Sequence, residues 1–388
     1  MPHTRHHTPH FILDYFANRE LDELYLAVFL KWLAQSMITV FVPIYFLVLG
    51  YEFFDIASFF LIYFIVTNIV MYFGMRLCSI FGVKKSMALG TFLIMIFFYL
   101  LHLVSLGGSY IPAAFVSGLS SGIYWAAFHL HFTHTMSDRK EGFQVSVFKI
   151  IVIITSVLGP LIGGIIIEKI SFAFVFGVVG LLLLCSTFPL FLTRDFKIET
   201  KGFSLKRIVK ADSLSKGLVF QSDGILHITS GIFWPLFIYI TLEEIVTLGA
   251  IISFSSVFLI FLIFYIGYLA DRNIGRTLKA GVYLHAPFWI IRLFLLTPIG
   301  MFLSNFFSMA SSSAIDISFG KLVYSKAKRS DSVSEYFLFR ELHLTIGRIL
   351  ILVVFLFILN LIWVFVLAFF ITFMYLLLVK ECSKSSGS

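Results

Sequence analysis

An all-α membrane protein of twelve transmembrane helices, arranged as two pseudo-symmetric six-helix bundles, is the fold that this 388-residue chain predicts. Three observations carry that prediction. First, the chain is 59% hydrophobic and only 13% charged, and its apolar residues fall in runs of about 20, the length a helix needs to cross a ~30 Å hydrocarbon core. Second, the basic residues are segregated. With both termini on one side, 23 of the 29 Lys and Arg fall on that side, one (Lys169) falls on the other, and five lie within spans. Such asymmetry marks the cytoplasmic face. Third, anchors in the first half recur in the second at an offset of about 192 residues.

The elements follow in order from apolar runs and their interruptions. A polar tail, 1–23, precedes span 1 (24–49). Span 2 (55–75) and span 3 (84–105) are joined by a short basic stretch, and span 4 (110–133) leads through another to span 5 (145–167) and span 6 (171–192). The polar, basic segment 193–218 then divides the chain. Spans 7 (219–241), 8 (246–268), 9 (279–296), 10 (300–320), 11 (337–358) and 12 (360–379) follow, with a tail at 380–388. The expected domains are thus the cytoplasmic tail 1–23, a first bundle 24–192, a linker 193–218, a second bundle 219–379 and the cytoplasmic tail 380–388. The linker has an amphipathic, basic pattern (Phe203, Leu205, Ile208, Val209) suited to the membrane surface.

The repeat pairs Phe41, Val42 and Pro43 with Phe233, Trp234 and Pro235. It pairs Gly82 with Gly275, and Phe148 and Lys149 with Phe339 and Arg340. The net charge of +8 is accounted for by the cytoplasmic segments facing anionic headgroups, so no nucleic-acid partner is implied. Cys78, Cys185 and Cys382 show no metal or redox spacing, and no disulfide is expected. The spans hold no HExxH, GxSxG or paired-carboxylate constellation, and no nucleotide-binding loop is present. No enzyme activity and no cofactor are therefore expected. The expected location is a prokaryotic plasma membrane, crossed many times, and the expected state is a monomer in the lipid bilayer.

One motif is specific enough to name a family. Gly267, Asp271, Arg272, Gly275 and Arg276 lie between spans 8 and 9. This segment resembles the short cytoplasmic loop of the major facilitator superfamily, a Gly-rich turn with an Asp-Arg pair and a basic end. One residue is inserted relative to the usual spacing, at Asn273 and Ile274. A worn copy with Gly82, Lys84 and Lys85 lies between spans 2 and 3, with Ser79 where the acid is expected and Ile80 where a base is. The resemblance implies a secondary transporter that moves a small-molecule substrate by alternating access, as symporter or antiporter, with protons as the coupling ion. It also implies that these loop residues latch the cytoplasmic side, with Asp271 and Arg272 forming an ion pair.

Span 5 carries Gly159, Pro160, Gly163 and Gly164, which resembles the core of the antiporter signature of the same superfamily. Thr155 replaces its upstream glycine. The motif reads either as a flexing and sealing point or as small-residue packing.

Charge inside a span is costly and marks candidate transport residues. Lys31 lies about two turns into span 1, with Gln35 one turn further on the same face. Lys31 either faces the path or snorkels to the surface. The repeat matches Gln35 with His227 and Lys31 with Asp223, and in the family the first helix of each triplet lines the cavity. Gln35 and His227 are therefore expected to face each other across the pathway, with Trp125, Tyr45 and Tyr124 as stacking surfaces. Asp316, the one acid well inside span 10, and Glu341 are the candidate proton carriers, although Asp316 could instead pair with Lys321. Arg340, Glu341, His343 and Arg348 give span 11 the densest intramembrane charge, a relay, an anion site or an ion-paired gate network. Arg292 is expected to snorkel near the outer face.

His3, His6, His7 and His10 in the tail, and His129, His131 and His134 in span 4, raise a metal reading. It is set aside because no carboxylate in a span accompanies them. Many proton-coupled drug exporters of the family that the loop resembles carry an acid in the first helix and an arginine early in the fourth; here span 1 offers Lys31 and the early part of span 4 has no base, which weighs against a multidrug exporter of cations. The inner spans lean positive, which favours anionic or zwitterionic cargo. A multidrug efflux antiporter, or a non-transporting sensor or scaffold, are the alternatives.

Overall fold

The computed structural model describes residues 19–135, 141–197, 214–329 and 333–379, with the side chains of 141–146, 149, 214, 215, 324, 325, 328, 329, 333 and 334 left aside. The tail histidines, the amphipathic stretch of the linker, Cys382 and the Lys149 side chain lie outside the described residues. Among those described, twelve helical traverses follow one another: α1 (Arg19–Val48), α2 (Phe53–Phe81), α3 (Val83–Ser105), α4 (Ile111–Thr135), α5 (Glu141–Lys169), α6 (Phe172–Phe191), α7 (214–242), α8 (Ile245–Arg272), α9 (Ile274–Ile291), α10 (Pro298–Arg329), α11 (Val333–Ile358) and α12 (Leu361–Leu378). Several run past the limits that hydropathy gives; α10 ends at Arg329 and not near 320. Hydropathy registers the edge of the hydrocarbon, whereas i→i−4 hydrogen bonding continues into water.

Ten of the traverses are apolar and long enough to cross a membrane by composition alone. α9 and α10 fall short by composition, and some of their polar side chains face each other. His285 Nδ1 lies 3.1 Å from the Ser308 carbonyl oxygen, and Gly281 lets α9 approach Ala314 and Ile315.

The repeat anchors mark the two broken helices. α1 passes through a 3₁₀ turn, Thr39–Phe41, just before Pro43. α7 passes through a π-turn, Thr229–Phe233, just before Pro235. In each, the proline ring cannot accept the ordinary helical path, and the extra or missing residue absorbs the mismatch.

Within each half, glycines set close crossings. Gly118 and Gly122 seat α4 on α2 at Tyr63, Val66 and Thr67, while Gly224 and Gly347 bring α7 and α11 backbone to backbone. Without water to drive association, such close packing is what holds membrane helices together. The halves meet along two seams, α5 with α8 and α2 with α11.

Candidate functional site

A cavity of about 380 Å³ lies between the halves along the α5–α8 seam. Trp32 of α1, Trp125 of α4 and Phe148 of α5 form its aromatic wall; Leu259 and Ile263 of α8 and Met309 of α10 form its aliphatic one. Asp316 of α10 supplies the one charged side chain among the described residues lining it. Trp125 and Asp316, both singled out in the sequence, thus line the same cavity. Trp32 was missed, because a tryptophan in an apolar run gives no sign of the face it occupies.

Beyond the cavity, away from the termini, α5 and α8 close on each other. Leu161 N–H donates to Ser253 Oγ at 3.1 Å, and Val246 N–H donates to Glu168 Oε2 at 3.2 Å. A side chain at Gly249 would press on the Pro160 carbonyl, and one at Gly164 on Ile245. The other glycines of the span-5 motif face α1, where Gly159 meets Ser36 and Gly163 meets the Met37 carbonyl. The motif is thus the point where α1, α5 and α8 pack together at the closed end.

Lys31 does not snorkel. It is 4% exposed, and its Nζ stands 4.0 Å from the ring centroid of Tyr124. It lines a separate void of about 20 Å³ within the first half, together with Gln35, Ser120, Ser121 and Tyr124. Trp32 and Trp125, edge to face at 5.9 Å, border both this void and the cavity. Gln35 therefore lies behind the tryptophans, and its facing of His227 is not among the described contacts. Tyr45 is no stacking surface for the path either; it is buried against Phe172 and Phe176 and donates to the Leu101 carbonyl at 2.9 Å.

The charges of α11 form one network with α7 and α12. Glu341 bridges both arginines, through Oε1 to Arg340 Nη1 at 2.6 Å and Oε2 to Arg348 Nη1 at 3.6 Å. Arg340 Nη2 also lies 3.8 Å from Asp223 Oδ2, and the Tyr375 hydroxyl donates to Asp223 Oδ1 at 2.6 Å. Two carboxylates thus balance two guanidiniums, which is what makes such groups tolerable away from water. The network reaches the other half. Asn68 of α2 donates to the Glu341 carbonyl and to Thr345 Oγ1, each at 3.2 Å, and Arg348 lies over the Phe64 ring at 5.2 Å. Sequence reasoning missed Asp223, Tyr375 and Asn68 as members; the repeat had matched Asp223 only to Lys31. His343 stays out of the network, packed on Phe339 and against Gly217.

Arg292 also departs from expectation. It is 1% exposed, held between the rings of Trp234 and Trp289 at 4.3 and 4.2 Å, with Nη2 donating to Ser308 Oγ at 2.5 Å. It is buried in the second half and does not snorkel, because its rings come from α7 and α9 and its acceptor from α10.

The histidines of α4 disperse. His129 stacks on Phe337 of α11 at 5.0 Å, and His131 and His134 bracket Phe196 at 5.3 and 4.4 Å.

In the loop motif, Asp271 pairs with Lys321 of α10 at 2.6 Å, while Arg272 lies over Tyr268. The Asp271–Arg272 pair is therefore replaced by an α8–α10 bridge to Lys321. Gly267 and Gly275 both lie inside helices, so the turn is Asn273 alone. That inserted residue caps α9, its Oδ1 accepting from Arg276 N–H at 2.9 Å, as Asn does at helix starts.

The worn copy has found its acids elsewhere. Gly82 has no side chain to cap α3, and Asp195 does it from the far end of the first half, accepting from the N–H groups of Lys84 and Lys85 at 2.9 and 3.2 Å. Lys84 is fully buried, hydrogen-bonded to Thr193 and 3.7 Å from Glu23.

The sequence model described as Major Facilitator Superfamily matches residues 24–339. A search of curated proteins finds no significant match. Among solved structures, the chain is similar to a POT family transporter in complex with 5-aminolevulinic acid, with TM-score 0.69 and 14% identity over 94% of this chain and 97% of that one. It is similar to a bacterial homologue of the iron transporter ferroportin in an inward-facing state (0.66, 15%, 94% and 99%) and to the nucleoside transporter NupG (0.67, 13%, 94% and 99%). At such identities the likeness shows the fold alone.

Proposed function

The chain belongs to the major facilitator superfamily, which makes it an integral, multi-pass membrane transporter and not an enzyme, and from that premise we propose that it moves a small organic solute by proton-coupled alternating access. The observation that carries this reading is the cavity between the halves, sealed at one end by α5 and α8. A site at the interface of two repeated bundles is reached from either side as the bundles rock. The basic termini-bearing side is the cytoplasmic one by the charge bias, so the sealed end faces outward.

In this reading Trp125 and Asp316 contact the solute, and Lys31 and Gln35 border it from behind the Trp32–Trp125 pair. His227 belongs to the second-half wall of the pathway. Asp316 on the cavity wall and Glu341 in the inter-half network carry the coupling proton. Arg340 and Arg348 hold Glu341 in place. The Asp271–Lys321 bridge, with Arg272, Gly275 and Arg276, steadies the cytoplasmic ends of α8–α10, and Gly82 with Lys84 does so for α2–α3.

Spin labels test the motion. One pair, at Lys85 and Arg276, spans the two halves at the cytoplasmic end; another, at Ser109 and Thr297, spans them at the opposite end. All four positions are exposed. Across ligand and pH conditions the two distances are expected to change in opposite senses. Distances that stay fixed under every condition, in protein that transports, would remove alternating access.

A further inference from the structure

We propose that the solute of this cavity is an organic cation, an amine or onium ion with an apolar, ring-bearing body. The inference rests on the reading of the cavity as the solute site and names its substrate class.

Charge comes first. Among the described residues that line the cavity, Asp316 is the single charged one. The lysine whose presence in span 1 favoured an anionic solute is not in this cavity; Lys31 lies in its own void with its ammonium over Tyr124.

Hydrogen-bonding sense points the same way. Four serines line the cavity, and each spends its only hydroxyl proton on a carbonyl of its own helix. Ser156 donates to Val152 O at 2.7 Å, Ser256 to Ile252 O at 2.9 Å, Ser312 to Met309 O at 3.1 Å and Ser313 to Met309 O at 2.8 Å. A hydroxyl that has donated has only lone pairs to offer. The wall therefore presents acceptors, with the Trp32 and Trp125 indole N–H groups as the remaining donors. An anion needs donors; a cation needs acceptors.

The aromatic wall completes the fit. Trp32, Trp125 and Phe148 offer π systems, whose negative faces attract organic cations. The aliphatic wall takes the apolar body, and about 380 Å³ lies in the ~300–1,000 Å³ range of sites for drug-sized ligands.

The test is equilibrium dialysis of the full-length protein in detergent against tetraphenylphosphonium and tetraphenylborate, ions of near-equal shape and opposite charge. The cation is expected to bind at least ~10-fold more tightly, about 1.4 kcal/mol, a comparison that needs no variant. Asp316→Asn should abolish that preference and Asp316→Glu should keep it. Trp125→Ala should weaken cation binding several-fold and Trp125→Phe much less. Tighter binding of the borate, or a preference indifferent to Asp316, would overturn the cation assignment while leaving the cavity as the solute site. Binding of neither ion, with another solute bound in a manner insensitive to Trp125, would remove the cavity from the transport reading and this inference with it.

Discussion

The carboxylate of Asp195 stands where a side chain on Gly82 would have to be. It accepts from the two amides that follow the glycine, and Gly82 itself has φ of +107°. The first-half loop is thus closed by an acid 113 positions further along the chain, and two requirements, backbone freedom and empty space, fall on one residue.

Gly82→Ala should therefore lower thermal stability by about 1–3 kcal/mol, the usual cost of holding a non-glycine residue in such a conformation, plus the collision with Asp195. Asp195→Ala should cost about 1 kcal/mol as the loss of a helix cap. Because the collision needs both side chains, the double variant should lose less than the two singles summed. Strict additivity in thermal melts of the purified protein would mean that the two do not interact.

Asp271 and Lys321 are both substantially exposed, and a pair in that setting contributes only about 0–1 kcal/mol to stability. Asp271→Asn should accordingly leave the melting temperature unchanged while slowing transport, the outcome that the proposed latch role of this α8–α10 bridge requires. Exchanging the charges, with Asp271→Lys and Lys321→Asp together, should restore much of the rate. Wild-type transport in the single variant would remove the latch role.

A larger residue at Gly249 should hold the sealed end of the cavity open, because any Cβ there meets the Pro160 carbonyl at 2.5 Å. Gly249→Leu is expected to lengthen the Ser109–Thr297 label distance and shorten that between Lys85 and Arg276. If both distributions match the parent protein, the α5–α8 contact does not control the seal.

Glu341 neutralises two guanidiniums, so Glu341→Gln should be strongly destabilising, by about 3–5 kcal/mol, as expected when a charge is left buried without its partner. Replacing Arg348 by Leu in the same chain should recover part of that loss. Recovery would be absent if Glu341 served only Arg340.

Asp316→Asn should flatten the pH dependence of transport, because Asp316 is the one charged side chain among the described residues lining the cavity. A pH profile identical to that of the parent protein would exclude Asp316 as the proton carrier and leave Glu341.

How far the site was legible follows from these cases. Asp316 stood out because an acid in an apolar helix is rare and costly, and it lines the cavity. The glycines and proline of span 5 stood out for the same kind of reason, and they do pack at the closed end. Arg292 was just as visible, but its depth could not be judged, because the rings that shelter it lie on α7, α9 and α12. The second-half loop motif was visible too, yet its acid pairs with α10 and not with its neighbour.

What the sequence determined by itself was the traverse count, the proline anchors shared by the two halves and the bias of the basic residues toward one set of loops. These follow from local hydropathy, from proline chemistry and from the distribution of charge along the chain, all of which are one-dimensional quantities. Only the tertiary structure decided which charges meet. It put Asp223 with Arg340, Asp195 under Gly82, and Lys31 behind the tryptophans with Asp316 in front. Electrostatic partners are set by distances of a few ångströms between helices far apart in sequence, and an apolar helix carries no mark of the neighbour it will face.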